Sequence, residues 1–369
     1  MLNRLRITFL LPGACPVPVG GTKIVYEYAN RLASRGHTVA IVHAASKYVD
    51  ATLGRKLYHT AGYLYRRVTL RYRPTSWISI QSNVKLIWAP SLAEKYVPDG
   101  DIVIATAWQT AEWAARYVGS KGKGFYLVQH LETWEGMEER VYATWKLPLH
   151  KIVIARWLQQ IASDLGQEAT YIPNGLDLDV FRVVNPIAER SATNVAMLYH
   201  HYAWKGSKDG IRALSIVRES VPDLRVTLFG VPQRPSDLPD WFKYRHCASQ
   251  SLLREIYNHA GIFVAPSLTE GWGLPACEAM MCGAALVATD VGGHREFAIH
   301  GETALLSPPG DEIRLSQNIL RLMRDPTLRL QIAQRGNEFV QQFTWKRAVD
   351  ALESLLLISS SIGGVGLAQ

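Results

Sequence analysis

Short apolar runs alternate along this chain with stretches whose apolar residues return every three or four positions, which predicts strands and helices in turn. Ile7–Leu11 reads as the first strand. Beyond the loop from Pro12 to Gly21, the segment from Ile24 to Ala33 has helical spacing, and Gly36 stops it. Val39–Val42, Ile102–Ala105 and Phe125–Val128 read as further strands. The pattern then restarts. Val195–Leu198 is a strand, Ile211–Val217 is helical before Pro222, and Arg225–Phe229 is a strand stopped by Gly230. Ile262–Val264 and Ala285–Ala288 complete the second series. Two βαβ series in tandem predict an α/β protein with two parallel sheets, each wrapped by helices. The turn-rich Pro173-Asn174-Gly175 lies near the join. We expect domains over 1–170 and 171–345, a C-terminal helix over 346–358 packing back on the first domain, and a flexible tail over 359–369. A ligand cleft is expected between the domains, at the carboxyl ends of the strands.

Composition narrows the class. A chain of 369 residues suits two domains, and 48 % hydrophobic with 20 % charged residues suits a soluble globular protein. The four cysteines, Cys15, Cys247, Cys277 and Cys282, form no C-x-x-C pair and no zinc spacing, so they read as reduced thiols of a cytosolic protein. The N-terminus lacks a signal peptide's long apolar core, and no apolar run of about 18–20 residues could span a bilayer. Membrane contact would be peripheral, on the inner face.

The net charge of +8 favours anionic partners such as nucleotides, phospholipids or nucleic acid. No helix-turn-helix, RRM or zinc pattern supports nucleic acid, and none is expected as a partner. The basic residues are unevenly spread. Between Ala51 and Ala93 there is no Asp or Glu, but Arg55, Lys56, Arg66, Arg67, Arg71, Arg73 and Lys85 are interleaved with Tyr63, Tyr65, Tyr72 and Trp77. This stretch reads as a solvated face with core aromatics, as a contact for anionic lipid headgroups, or as a grip on an anionic glycan.

The candidate chemistry concentrates between Pro266 and Met280. A strand ends near Ala265, a loop with Gly271 and Gly273 follows, and a helix opens with Pro275 in its first turn. The free N–H groups at that helix N-terminus suit an anion, and a diphosphate is the natural guest. Two acids bracket the site, Glu270 before the helix and Glu278 one turn inside it. Carboxylates beside a phosphate site are better placed to accept hydrogen bonds from sugar hydroxyls.

This stretch resembles the E-x7-E signature of the retaining GT-B glycosyltransferases of family 4. The run Cys282 to Glu296 resembles that family's second Gly-rich loop, and Gly301 to Asp311 the segment after it. The likeness is strong from about Tyr171 to Trp345 and looser before that. It implies two Rossmann-like domains facing across a cleft, with the acceptor on the first and the nucleotide-sugar on the second. It also implies roles. Glu270 would contact the donor sugar and Glu278 the ribose, while Gly271, Trp272, Gly273 and Leu274 would surround the diphosphate. Trp204-Lys205-Gly206 is similar to the family's K-G motif, with Lys205 on the leaving phosphates. Gly20 and Gly21, before the first helix, resemble its Gly-Gly loop. His130, after the strand Phe125–Val128, falls where the family places a histidine near the transferred sugar.

The chain departs from the family twice. His200 stands where an arginine is usual, and a protonated His200 or His201 would replace that guanidinium only in part. Ala105-Thr106-Ala107-Trp108 lacks the usual histidines.

The resemblance implies a transferase that moves a sugar from a UDP-, GDP-, ADP- or dTDP-sugar to a glycan, glycolipid or small-molecule hydroxyl. Attack from the leaving-group face and retention of configuration are expected. No D-x-D motif is present, and neither a metal nor another cofactor is expected. The rival readings are a nucleotide-sugar epimerase of the same fold, a degenerate transferase that binds donor without reacting, and a nucleic-acid-binding protein.

Overall fold

The computed structural model describes residues 4–50, 62–74 and 77–362. Arg55, Lys56 and the tail from residue 363 lie outside the described residues. The chain forms two compact units, one of residues 1–175 with 346–369 and one of residues 176–345.

The first unit begins β1 (Arg6–Leu11), α1 (Gly20–Ser34), β2 (Thr38–Ser46), α2 (residues 62–69), β3 (Val84–Ser91) and β4 (Ile102–Ala105). It continues α3 (Trp108–Ala114), β5 (Lys123–Val128), α4 (Glu138–Trp145), β6 (His150–Val153), α5 (Arg156–Asp164) and β7 (Ala169–Tyr171). The strands form one parallel sheet in the order β3-β2-β1-β4-β5-β6-β7. Central strands read as unbroken apolar runs, such as Ile102–Ala105, because helices cover both faces and no position turns to water.

The second unit runs β8 (Asn194–Leu198), α6 (Ser207–Ser220), β9 (Arg225–Gly230), β10 (Phe242–His246), α7 (Gln250–His259) and β11 (Ile262–Ala265). Then come α8 (Leu274–Met281), β12 (Ala285–Thr289), β13 (Ala304–Ser307), α9 (Glu312–Arg324) and α10 (Pro326–Val340). Its six parallel strands follow the order β10-β9-β8-β11-β12-β13. In both sheets the direction of winding reverses once, between β1 and β4 and between β8 and β11. Connections leave such neighbours in opposite directions, so a crevice opens at their carboxyl ends.

The last helix, α11 (Trp345–Ile362), belongs to the first unit. It is tied there by Arg35, which reaches Asp350 at 2.5 Å and Glu353 at 2.5 Å, and by His37 Nε2, 2.8 Å from Glu353. Two expectations are corrected. The helix does not stop at 358: Val349, Leu352, Leu356 and Ser359 recur on one buried face, so burial carries the helix past the serines that break the apolar pattern. Nor do Gly20 and Gly21 precede α1; they are its first residues, because an extended Val19 starts the helix where the first N–H groups need no helical partner.

Candidate active site

In the second unit the loops after β8 and β11 lie side by side at the switch point. The first carries His200 to Gly206 and the second Pro266 to Gly273. The Leu268 amide donates to the Trp204 carbonyl at 2.7 Å. Gly206 makes that approach possible: its φ is +62°, and a Cβ there would lie 1.9 Å from the Pro266 carbonyl oxygen. The outcome is an ion pair. Lys205 Nζ lies 2.7 Å from Glu270 Oε1, which also accepts from the Ser267 hydroxyl at 3.0 Å.

A third loop clamps the Glu270 segment from its other side. The Gly293 amide donates to the Glu270 carbonyl at 3.0 Å. A Cβ on residue 293 would come within 2.6 Å of the Trp272 amide nitrogen and 2.7 Å of the Glu270 oxygen, so only glycine lets the two backbones touch.

Helix α8 opens directly after Gly273, with Pro275 in its first turn, and this first turn lines the same crevice as Lys205 and Glu270. Inside that helix Glu278 is only 7 % exposed. The Tyr257 hydroxyl donates to its Oε2 at 3.2 Å. Burial and the neighbouring Glu278 carboxylate push the Tyr257 phenol far above its usual range, so it stays a donor. His294 is fully buried beside this corner. Its Nδ1–H donates to the Thr289 carbonyl at 2.8 Å, and its ring packs on the Gly273 α-carbon. Burial lowers the His294 pKa, against the pull of Glu270, which leaves a neutral ring. Lys205, Glu270, Gly273, Pro275, Ala276 and His294 line one small cavity.

In the first unit, Gly21 sits in the opening turn of α1 against the carboxyl end of β5: a Cβ on it would meet the Gln129 side chain at 3.4 Å. That brings Gly21 next to the neighbour of His130. The His130 ring is held edge-on by Trp134 at 4.9 Å and Trp157 at 5.6 Å, and its Nδ1–H donates to the Leu131 carbonyl at 3.0 Å. The loop before α1 has its own prop. His43, buried in β2, donates from Nδ1 to the Gly13 carbonyl at 2.9 Å. Among the described residues no cluster of three or more His, Cys, Asp or Glu could hold a metal ion.

Comparison with known proteins now decides the class. Residues 190–325, the part holding Lys205, Glu270 and Glu278, match the family described as Glycosyl transferases group 1. The phosphatidyl-myo-inositol mannosyltransferase of Mycobacterium leprae is 23 % identical over 368 residues, covering 92 % of this chain and 93 % of that one. The chain is a glycosyltransferase whose residues 190–325 are similar to group 1. The O-antigen chain mannosyltransferase B of Escherichia coli is 34 % identical over 106 residues, 29 % of this chain and 27 % of its own. The GT-B fold extends over the whole glycosyltransferase. Sucrose-phosphate synthase from Thermosynechococcus elongatus aligns with a TM-score of 0.72 at 18 % identity, covering 97 % of this chain and 100 % of that one. HepE of Anabaena, solved with UDP and glucose, aligns with a TM-score of 0.71 at 15 % identity, covering 96 % and 100 %.

Within this glycosyltransferase the structure groups Lys205, Glu270, Gly271, Gly273, Leu274 and Glu278 in one corner of the second unit, and Gly20, Gly21 and His130 in the first. Two assignments change. The Trp272 side chain is committed to the core, 3 % exposed and edge-on to Phe343 at 5.1 Å, so only its backbone belongs to the loop. His200 does not carry a guanidinium's charge. Burial, His201 and Lys205 together push its pKa down to about 4, and its Nδ1 accepts the Tyr202 amide at 3.2 Å. It is a neutral ring with its Nε2–H available. Sequence reading missed Tyr257, His294, Ser267 and His43. Ser267, inside the signature loop, and His294, inside the second Gly-rich loop, have a local signal; Tyr257 and His43 reach their places through strand order and helix packing.

Proposed function

We propose that this glycosyltransferase moves a hexose, with retention of configuration and without a divalent cation, from a nucleoside diphosphate sugar to a hydroxyl of a glycan or glycolipid. The observation that carries the proposal is the corner where the Lys205–Glu270 pair meets the N-terminus of α8, with Glu278 buried one turn inside and oriented by Tyr257. The diphosphate would take the α8 amides and draw the Lys205 ammonium toward itself. Glu270 would then accept from hydroxyls of the transferred sugar, and Glu278 from those of the ribose. His200 would donate from Nε2 as a neutral partner. For Gly20, Gly21 and His130 the proposed roles rest on the family resemblance.

As the anomeric carbon–phosphate oxygen bond breaks, negative charge grows on the leaving diphosphate, where Lys205 and the helix amides stabilise it. The acceptor oxygen bonds to the anomeric carbon on the face the diphosphate leaves, and its proton passes to a diphosphate oxygen. UDP is the first base to try, because HepE was solved with it. We place the enzyme in the cytoplasm, working on the inner face of a membrane.

The test is thermal stabilisation by UDP, GDP, ADP and dTDP on the wild type and on Glu278→Ala. A ligand that binds only the folded state adds ~2.7 kcal/mol at a hundred times its Kd. One base should stand out and lose its shift in the variant. No shift with any base in the wild type removes the donor assignment. Anomeric analysis of the product, with and without chelator, tests retention and metal independence.

A further inference from the structure

The loop after β8 carries a stack of rings that the core does not need. His200, Tyr202 and Trp204 alternate through a stretch that is extended at Tyr202, so their side chains gather on one side. The Tyr202 ring lies 4.3 Å from Trp204, nearly parallel at 16°, and 4.4 Å from His200, tilted by 31°. Tyr202 is 45 % exposed, so the stack removes little apolar surface from water and adds little to the fold. It does tie the loop together. At one end the His200 amide donates to the Ser207 hydroxyl at 2.9 Å. At the other the Trp204 carbonyl accepts from the Leu268 amide of the signature loop. The exposed His201 leans on Tyr202 at 4.3 Å and 58°, outside the stack.

What such a stack can do follows from the state of His200. A guanidinium makes charge-assisted hydrogen bonds, roughly twice as strong as neutral ones, and offers a fork of donors. A neutral imidazole offers one N–H, and its hydrogen bond weakens steeply when misaligned. The Tyr202 amide occupies Nδ1 of His200 at 3.2 Å, which leaves the proton of the neutral ring on Nε2. A ring in this state serves an anion only when it is held in place. The Tyr202 amide fixes the position of Nδ1, and the Tyr202 ring stops the imidazole from swinging about it.

We propose that Tyr202 is a positioning residue for the donor: its ring, backed by Trp204, holds the His200 imidazole with Nε2–H toward the diphosphate. Geometry thereby does part of what an arginine would do by charge. Without the stack the imidazole must be ordered as the diphosphate arrives, and that ordering is subtracted from affinity. The inference rests on the donor assignment made above and adds to it a residue that touches no substrate.

The test is calorimetric titration of the full chain with UDP, GDP, ADP and dTDP. A stacked aromatic pair is worth about a two- to tenfold factor. For the diphosphate that binds the wild type best, Tyr202→Ala removes both ring pairs and should raise Kd about tenfold, whereas Tyr202→Phe keeps both and should stay within about twofold. His200→Ala should also weaken binding. Adding Tyr202→Ala to it should change Kd by less than about twofold, because a residue that acts through His200 then has nothing left to hold. A tyrosine that served only the shape of the loop would cost the same in both backgrounds. Wild-type affinity in Tyr202→Ala, or an undiminished loss in the His200→Ala chain, overturns the proposal and leaves the donor assignment standing. A wild type that binds none of the four removes the donor assignment and this inference with it.

Discussion

Gly293→Ala puts a methyl group where no rotation can relieve it. Its three nearest neighbours, at 2.6 to 2.7 Å, are the Trp272 nitrogen, the Glu270 oxygen and the Gly271 carbonyl carbon, all of them backbone. Ordinary contacts to such atoms lie near ~3.4 Å, so the Glu270–Trp272 loop must retreat by roughly 0.7 Å or the structure must strain, and overpacking of this kind costs about 1–3 kcal/mol. The retreat also stretches the Gly293 to Glu270 hydrogen bond, worth about 1 kcal/mol. Glu270 moves with its loop, and a displacement near 1 Å at a reacting centre costs on the order of a hundredfold in rate. Urea unfolding and the transfer rate at saturating donor measure the two effects separately. Gly62→Ala is the comparison for stability, because nothing lies within 4 Å of the added methyl, and it should unfold within about 0.5 kcal/mol of the wild type. A Gly293→Ala protein that keeps both its unfolding midpoint and its rate would refute the clamp.

Two further outcomes follow from the buried polar groups. Tyr257→Phe removes the phenol that donates to Glu278, so stability should fall by about 1.5–3 kcal/mol and the nucleotide thermal shift should shrink with it; a shift equal to the wild type's would separate Glu278 from nucleotide binding. His43 is pushed down to about 4 by burial, against the opposing pull of the Gly13 carbonyl. The unfolded chain therefore takes up this proton below about 6.5 and the folded chain only near 4, so the contribution of His43 is full above pH 6.5 and is lost as the pH falls toward 4. The gap is worth at most about 3 kcal/mol. His43→Gln should flatten the fall of unfolding free energy between those pH values, read by denaturant titration at each pH.

The fold was legible because its strongest signals are periodic. Apolar runs such as Ile102–Ala105 and Ala285–Ala288 admit little other than buried parallel strands. The strands that sequence reading passed over, β3, β6, β7, β10 and β13, are short or carry charge, as in Phe242–His246, where exposed positions break the pattern. The corner around Lys205 and Glu270 was legible where chemistry is local, in the run from Glu270 to Glu278. Tyr257 was not, because a tyrosine on a helix looks alike whether it faces a site or a core, and His294 was legible only as part of the Gly-rich run Cys282 to Glu296.

Helix α11 has a consequence for how the chain is made. The first unit is built from both ends of the sequence, whereas the second is one uninterrupted span. During synthesis, therefore, the part begun first is finished last. Arg35 and His37 leave the ribosome early and wait for Asp350 and Glu353 until the whole intervening unit has emerged. A nascent chain stopped before residue 346 would hold the complete span of the second unit while the first still lacked the helix that Arg35 and His37 bind, so the first unit is the later of the two to close.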